Sequence, residues 1–307
     1  MSIQTLSADF LLRKHNTELY LMKLIEPKLY FLNVMPTANS DTGEFPTVLK
    51  EPTAAEDTAN GVMSEPLDTS ELSELTEIEI SPLNAVLGKT SAVGYKFKYS
   101  QKFLNRSDSD ARVQNAFSKI AAGMAQKINV LLAQDIVTAA SVALPAGLSA
   151  WSTAIDPRKD AISMRHQFSP ADSPFTLTDA YINDTLYKEL ETYYMSMDWP
   201  FNSDAIDVDG TTFHNVKNSF AGMSDNFLGL DSNIPAGIVE TYVDPDFSTI
   251  QSSILQDPQK AINLPPALIN VNQYREQEAP HNNVFEIWAE IGYSNQEPKG
   301  AMAGTLS

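Results

Sequence analysis

Cysteine is absent from the 307-residue chain, which excludes disulfides, thiolate nucleophiles, iron–sulfur clusters and cysteine-ligated zinc together. Stability must then come from burial and assembly. Basic residues are scarce: 21 Lys and Arg stand against 39 Asp and Glu, a formal net charge of −18. Nucleic-acid affinity is dominated by Lys and Arg displacing counterions from phosphates, so direct DNA or RNA recognition is disfavoured. Long apolar runs are missing too; none approaches the roughly 20 residues that span a bilayer. The opening MSIQTLSADFLLRKHN lacks the basic start and apolar block of a secretion signal. The expectation is a soluble product made in the cytoplasm, with no membrane partner. A hydrophobic content of 43% suffices for one large or two modest cores.

Apolar positions between residues 6 and 34, interrupted by Pro27, predict a short helix and an extended continuation. From Pro36 to about Ser70 the text is dense in Thr, Asp, Pro, Gly and Ala. With so little apolar surface it predicts an extended arm lying on something else. Thr76, Ile78 and Ile80 then alternate with Glu77 and Glu79, and beyond a loop Val93, Tyr95, Phe97 and Tyr99 alternate with Gly94, Lys96 and Lys98. These predict two strands pairing Glu to Lys as a long hairpin, which needs a neighbouring surface because a lone ribbon is marginal in water.

The strongest helix signal follows. Asn105, Ser107 or Asp108 can cap it, and Val113, Phe117, Ile120, Met124, Ile128, Leu132 and Ile136 recur every three or four residues before Pro145. About 33 residues make a rod of roughly 50 Å. Residues 146 to 175 read as loops. Thr178 is the expected cap of a second helix carrying Ile182, Leu186, Leu190 and Tyr193, ending before Trp199 and Pro200. Residues 201 to 233 read as turns and surface loops, and a strand is expected at residues 238 to 243. The closing strand alternates Phe285, Ile287, Ala289, Ile291 and Tyr293 with Glu286, Trp288 and Glu290, before the small-residue tail PKGAMAGTLS.

Tempting chemistry fails on spacing. Gly88-Lys89-Thr90 resembles the end of a phosphate loop, but Leu83 stands where the earlier glycine belongs. Asp204, Asp207, Asp209 and Gly210 resemble a calcium loop. With Gly210 aligned, Ala205 and Val216 occupy two main ligand positions. The reading is an acidic surface turn, with a weakly held cation near Asp207 left open. His15, His166, His214 and His281 have no paired zinc spacing, and Gly147-Leu148-Ser149-Ala150-Trp151 lacks the second glycine of a nucleophile elbow. Tyr193 and Tyr194 have no basic patch around them and read as packing rather than base stacking. No catalytic, cofactor-binding or metal-ligating residue is assigned, and no cofactor is expected.

The order of elements resembles the major capsid proteins of tailed viruses, the Hong Kong ninety-seven type fold shared with encapsulins. LIEPKLYFLNVMPTANSDTGEFPTVL resembles the arm, ELTEIEISPLNAVLGKTSAVGYKFKYSQKF the extended loop, SDSDARVQNAFSKIAAGMAQKINVLLAQDIVTAAS the spine helix, and NNVFEIWAEIGYSNQEPKGAMAGTL the closing strands. The resemblance implies an α+β fold with an N-terminal arm at 1–70 and an extended hairpin loop at 71–106. It places a peripheral domain with spine helix at 107–165 and 265–307, and an axial domain at 166–264. It implies a non-enzymatic structural subunit that assembles with itself into hexamers and pentamers. The product would be an icosahedral head enclosing double-stranded DNA without sequence-specific binding, located in the virion. Portal, scaffolding or decoration proteins are the implied partners. Too little precedes the arm for a fused scaffolding segment, so scaffolding or a maturation protease would be separate proteins. Some relatives cross-link a loop lysine to a neighbour's asparagine, but none of Lys89, Lys96 and Lys98 matches a cross-linking position.

Three other readings predict different particles. An encapsulin-like compartment would enclose protein instead of a genome. An enzyme or carbohydrate-binding α+β protein using the Asp-rich region would be a monomer or small oligomer. A tail-tube or decoration subunit would form rings or trimers.

Overall fold

The computed structural model describes residues 12, 14–32, 34–40, 42–48, 85–148, 151, 156–169, 174–199, 205–242, 268–275 and 282–306. Along the chain these are α1 (Lys14–Ile25), β1 (Thr37–Asn39), β2 (Glu44–Val48), β3 (Ala85–Lys89), β4 (Ser91–Ser100), the single turn α2 (Gln101–Leu104), α3 (Ser109–Ala139) and β5 (Val142–Ala143). Then follow α4 (Pro157–Phe168), β6 (Asp179–Ile182), α5 (Asp184–Ser196), β7 (Ala205–Val208), β8 (Thr211–Asn215), β9 (Phe227–Leu230), β10 (Gly237–Tyr242), β11 (Asn270–Arg275), β12 (Asn282–Asn295) and β13 (Ala301–Gly304).

β12 organises the first sheet. Its 14 residues are long enough to hold two partners end to end on one side, β11 against residues 283–288 and β10 against residues 290–295. β4 runs antiparallel along its other side, and β1 adds to β10 in parallel. The alternation of the sequence is obeyed: Phe285, Ile287, Ala289, Ile291 and Tyr293 are buried. They face α3, whose residues Phe117, Met124, Ile128, Leu132 and Ile136 are fully covered, and Leu21 and Ile25 of α1 join the same core. At 31 residues, α3 is roughly 46 Å long. Buried Asn129 in its middle is satisfied from both ends of its amide. Its Oδ1 accepts from the Tyr30 N–H at 3.1 Å and its Nδ2 donates to the Lys28 carbonyl at 2.8 Å.

The second sheet has the order β5-β13-β9-β6-β8-β7 and its own core with α4 and α5, built on Phe213, Phe227, Tyr187, Leu190 and Phe168. β7 and β8 are joined by Asp209-Gly210, both with positive φ (52° and 84°). This is the backbone that a tight two-residue hairpin requires and that Asp-Gly supplies at little cost.

Several expectations are corrected. Val93 to Tyr99 lie in β4 and pair with β12, so Lys96 finds Glu286 across the ladder at 2.7 Å. The proposed partner strand at residues 76–80 lies outside the described residues. Residues 44–48 of the expected arm and residues 85–89 of the expected loop pair antiparallel as a ribbon. Residues 146–175 contain α4. Asp156 caps it by accepting from the Arg158 N–H at 3.1 Å, Pro157 sits in its first turn, and Ala161, Met164 and Phe168 form its buried stripe. Thr178 caps nothing; residues 179–182 are strand, and Asn183 caps α5 by accepting from the Leu186 N–H at 2.9 Å. Asp108 occupies the cap position of α3, but its carboxylate accepts from Arg106 and Arg112, at 3.1 and 2.6 Å, instead of from backbone. α3 stops at Ala139, before Pro145, because Val142 and Ala143 are recruited as a strand beside β13. Residues 201–233, read as turns, hold three short strands of the second sheet. The small-residue tail is not an appendage: Ala301, Met302 and Leu306 are buried, and β13 is an inner strand of that sheet.

Candidate assembly interface

The β2–β3 ribbon leaves the body from one end of β12. Phe45, 4% exposed, is its anchor, seated where two glycines leave room. A Cβ at Gly88 would lie 2.5 Å from the Phe45 ring, and one at Gly292 would lie 2.6 Å from it. Either contact is too close for any larger residue. Ser294 Oγ donates to the Pro46 carbonyl at 2.6 Å, and the Asn295 N–H donates to Thr47 Oγ1 at 3.0 Å. At the ribbon's root, the Thr90 N–H donates to the Gly43 carbonyl at 2.9 Å, and the Ser40 N–H to the Thr241 carbonyl at 2.8 Å. Pro46 fits here because the ribbon is only two strands wide, so one strand edge needs no donor. The ribbon's outward face is bare: Leu87 is 63% exposed, and the Lys89–Glu44 ion pair at 3.1 Å is solvent-facing and contributes little.

At the opposite end of β12 lies a groove of about 650 Å³ between β4 and the first turns of α3. Its floor is apolar, with Phe97, Phe103, Val113, Phe117 and Ile120, and its rim carries Lys98, Arg112 and Lys119. Among the described residues none that lines it is acidic, although Arg112 on its rim is paired with Asp108 at 2.6 Å. On a chain with net charge −18 this is a local reversal of sign.

The residues tested for chemistry are not brought together. Lys89 pairs with Glu44, and Thr90 Oγ1 reaches Gly43 and Glu290 at 3.4 Å each, at a strand-to-strand turn with no helix behind it. Asp207 Oδ1 accepts from the Gly210 N–H at 3.2 Å and its carbonyl accepts from the Tyr194 hydroxyl at 2.7 Å, so it shapes the hairpin turn. Asp204 lies outside the described residues. Among the described residues no group of three or more His, Asp or Glu is placed to hold a metal ion. Tyr193 and Tyr194 are buried edge-on against Trp199, at 5.9 and 5.2 Å, with Arg158 over the indole at 4.5 Å. His166 is exposed on α4; the His15 side chain, His281 and Ser149 lie outside the described residues.

His214 Nε2 and Asp179 Oδ1 are 2.8 Å apart across β6 and β8, with His214 stacked on Tyr181. Burial pushes the Asp179 carboxyl up, but hydrogen bonds from His214, Ser232 and Thr178 outweigh it and hold it below the ordinary carboxylate range. The pair clamps two strands, and the sequence offered no spacing signal for it because its members are 35 residues apart. Glu286 is likewise held low, chiefly by its hydrogen bond from Lys96.

A long helix laid across a sheet, a two-stranded ribbon leaving that sheet, and a second mixed sheet define the Hong Kong ninety-seven type fold of tailed-virus capsid and encapsulin shells. The chain has that fold. It is similar over 90% of its length, and 90% of theirs, to a structure from Microbacterium phage Oxtober96 (11% identity, TM-score 0.52). The capsid of an empty GTA particle matches at 10% identity, 90% and 89% coverage and TM-score 0.51. A virus-like particle from Pyrococcus furiosus matches at 11% identity, 94% and 97% coverage and TM-score 0.50. No family model and no curated protein matches the chain.

Proposed function

We propose that this chain is a major capsid protein of a tailed virus, a non-enzymatic subunit forming hexamers and pentamers of an icosahedral head around double-stranded DNA. The observation that carries the reading is the ribbon: it is anchored at its root by Phe45 but carries an apolar residue, Leu87, into solvent. Its inner face is seated on β12, so the exposed outer face marked by Leu87 is the surface it offers to another subunit. Similarity to shell structures over nine-tenths of the chain supports the same conclusion. The acidic charge suits a container that must not grip its contents, because phosphate binding scales with Lys and Arg contacts. The head is the subunit's place in the virion, with assembly in the host cytoplasm. Portal, scaffolding and decoration proteins are its expected partners, beside copies of itself. The 1–70 arm, the 71–106 loop, the peripheral unit and the axial unit are its proposed working parts.

Negative-stain electron microscopy with size-exclusion chromatography of the purified full chain tests this. Megadalton particles or capsomers are expected, and a monodisperse monomer overturns the proposal. Because encapsulin shells share the fold, a compartment enclosing protein is the second reading. Lumen content separates the two, since DNA supports the head and a protein cargo the compartment.

A further inference from the structure

A second cavity, of about 250 Å³, lies farther along α3, where two short turns pack against the helix. One turn is Glu26–Lys28, which continues α1, and the other is Lys217–Phe220, which follows β8. The floor includes buried Ala125 and Val216, and the rim carries exposed Lys28, Gln126, Lys217 and Asn218. The polar groups of the floor are already satisfied: Asn129 is held by the Lys28 carbonyl and the Tyr30 N–H, and Ser219 Oγ donates to the Val216 carbonyl at 2.7 Å. Those of the rim are not. Among the described residues neither Lys28 nor Lys217 has an ion-pair partner, and none that lines the cavity is acidic. Two ammonium groups on one cavity repel each other, a cost that a bound anion reverses. Lys217 also occupies a left-handed backbone position (φ 46°), which glycine or asparagine would adopt at less cost. Asn215 Oδ1 accepts from its N–H at 2.9 Å, so the lysine is fixed at the rim at the expense of local strain.

We propose that this cavity binds a phosphate group, free or carried on a nucleic-acid strand, through Lys28 and Lys217, with Gln126 and Asn218 as neutral donors. A dianion answers two cations better than a single carboxylate does, and donors from three separate segments can surround a tetrahedral oxyanion. The cavity has room for one phosphate with its waters and for no length of duplex. It is a point contact, compatible with an acidic wall that does not grip its contents. Lys28 follows α1 of the first core and Lys217 follows β8 of the second sheet, so an anion held by both ties that sheet to α1 across α3. The assignment is independent of the shell reading and holds whatever the shell encloses.

Thermal melts of the purified full chain at constant ionic strength test it. Inorganic phosphate replacing chloride in the millimolar range should raise the melting temperature saturably, by about 2–4 °C at roughly ten times the half-saturating concentration. Lys217→Gly removes the ammonium and suits the left-handed backbone, so the fold is kept while the phosphate response is lost. Gln126→Glu, which adds negative charge at an exposed rim position, should abolish the response too. Lys127→Ala, exposed on α3 and outside the cavity, should leave it unchanged. A rise that persists in Lys217→Gly is the general salting effect of phosphate and overturns the site; so does no rise in the parent chain, or an equal rise with acetate. Phosphorus NMR gives a readout that owes nothing to stability: the inorganic phosphate line should broaden on the parent chain and stay sharp on Lys217→Gly, and equal broadening on both refutes the assignment. A thymidine oligonucleotide then separates the sources. Broadening that it reverses gives the site to strand phosphates, and broadening that it leaves unchanged gives it to the free ion. Failure of the unsubstituted chain to form particles bears on the shell reading alone.

Discussion

The second sheet and the β2–β3 ribbon are held by opposite means. The sheet closes on itself: Phe213 and Phe227 are fully covered, Asn183 and Asp156 cap its two helices, and Asp179 is satisfied by His214 and Thr178. The ribbon has one buried ring at its root and an exposed Leu87 along its length. One region is a finished object. The other, on the proposed function, is half of an interface, and within the chain it is held by what it lies on. A shell subunit needs both, a rigid body to fix geometry and an unfinished part to be completed by assembly.

That contrast can be broken in order of effect. Phe213→Ala should cost about 3–5 kcal/mol by emptying the second core, a loss read directly in urea denaturation and accompanied by failure to assemble. Phe45→Ala should cost the isolated chain less, about 2–3 kcal/mol, because the ring seals only the ribbon's root. Its effect on particle yield should be total, as seen by size exclusion; normal particles would show that the ribbon's course is irrelevant. Asp179→Asn should cost about 1–2 kcal/mol at neutral pH. The carboxyl of Asp179 is held low in the fold, so its contribution is present above the ordinary carboxylate value and lost as pH falls below it. Thermal melts of the variant and the parent should therefore stay apart at neutral pH and converge only as pH falls below the ordinary carboxylate value. Lys96→Ala should give the smallest change, a melting shift within error, since the Lys96–Glu286 pair sits on a solvated sheet face with Lys96 half exposed. A large loss there would mean that face is covered in the particle.

What the sequence showed and hid follows the same line. β12 and α3 were legible because each is long and buries one face, so a dozen residues repeat one instruction: Phe285 to Tyr293 at period two, Val113 to Ile136 at three and four. The strands of the second sheet are only four or five residues, too short to establish a period, and β13 is Ala-Met-Ala-Gly, whose pairing comes from β5 and β9 and not from its own propensity. α4 was announced by Asp156-Pro157 and passed over because its buried stripe is three residues long. β2 was hidden by Pro46 in polar text, with Phe45 as its single apolar anchor. The groove was invisible because it exists only where residues 97–103 meet residues 112–120; its basic rim is dispersed in an acidic chain.

The position of β13 also orders events in time. It joins β5 to β9, so until residues 301–304 have left the ribosome the second sheet exists in two unconnected pieces. The second core, which Met302 and Leu306 help to fill, can therefore close only after those residues have been made.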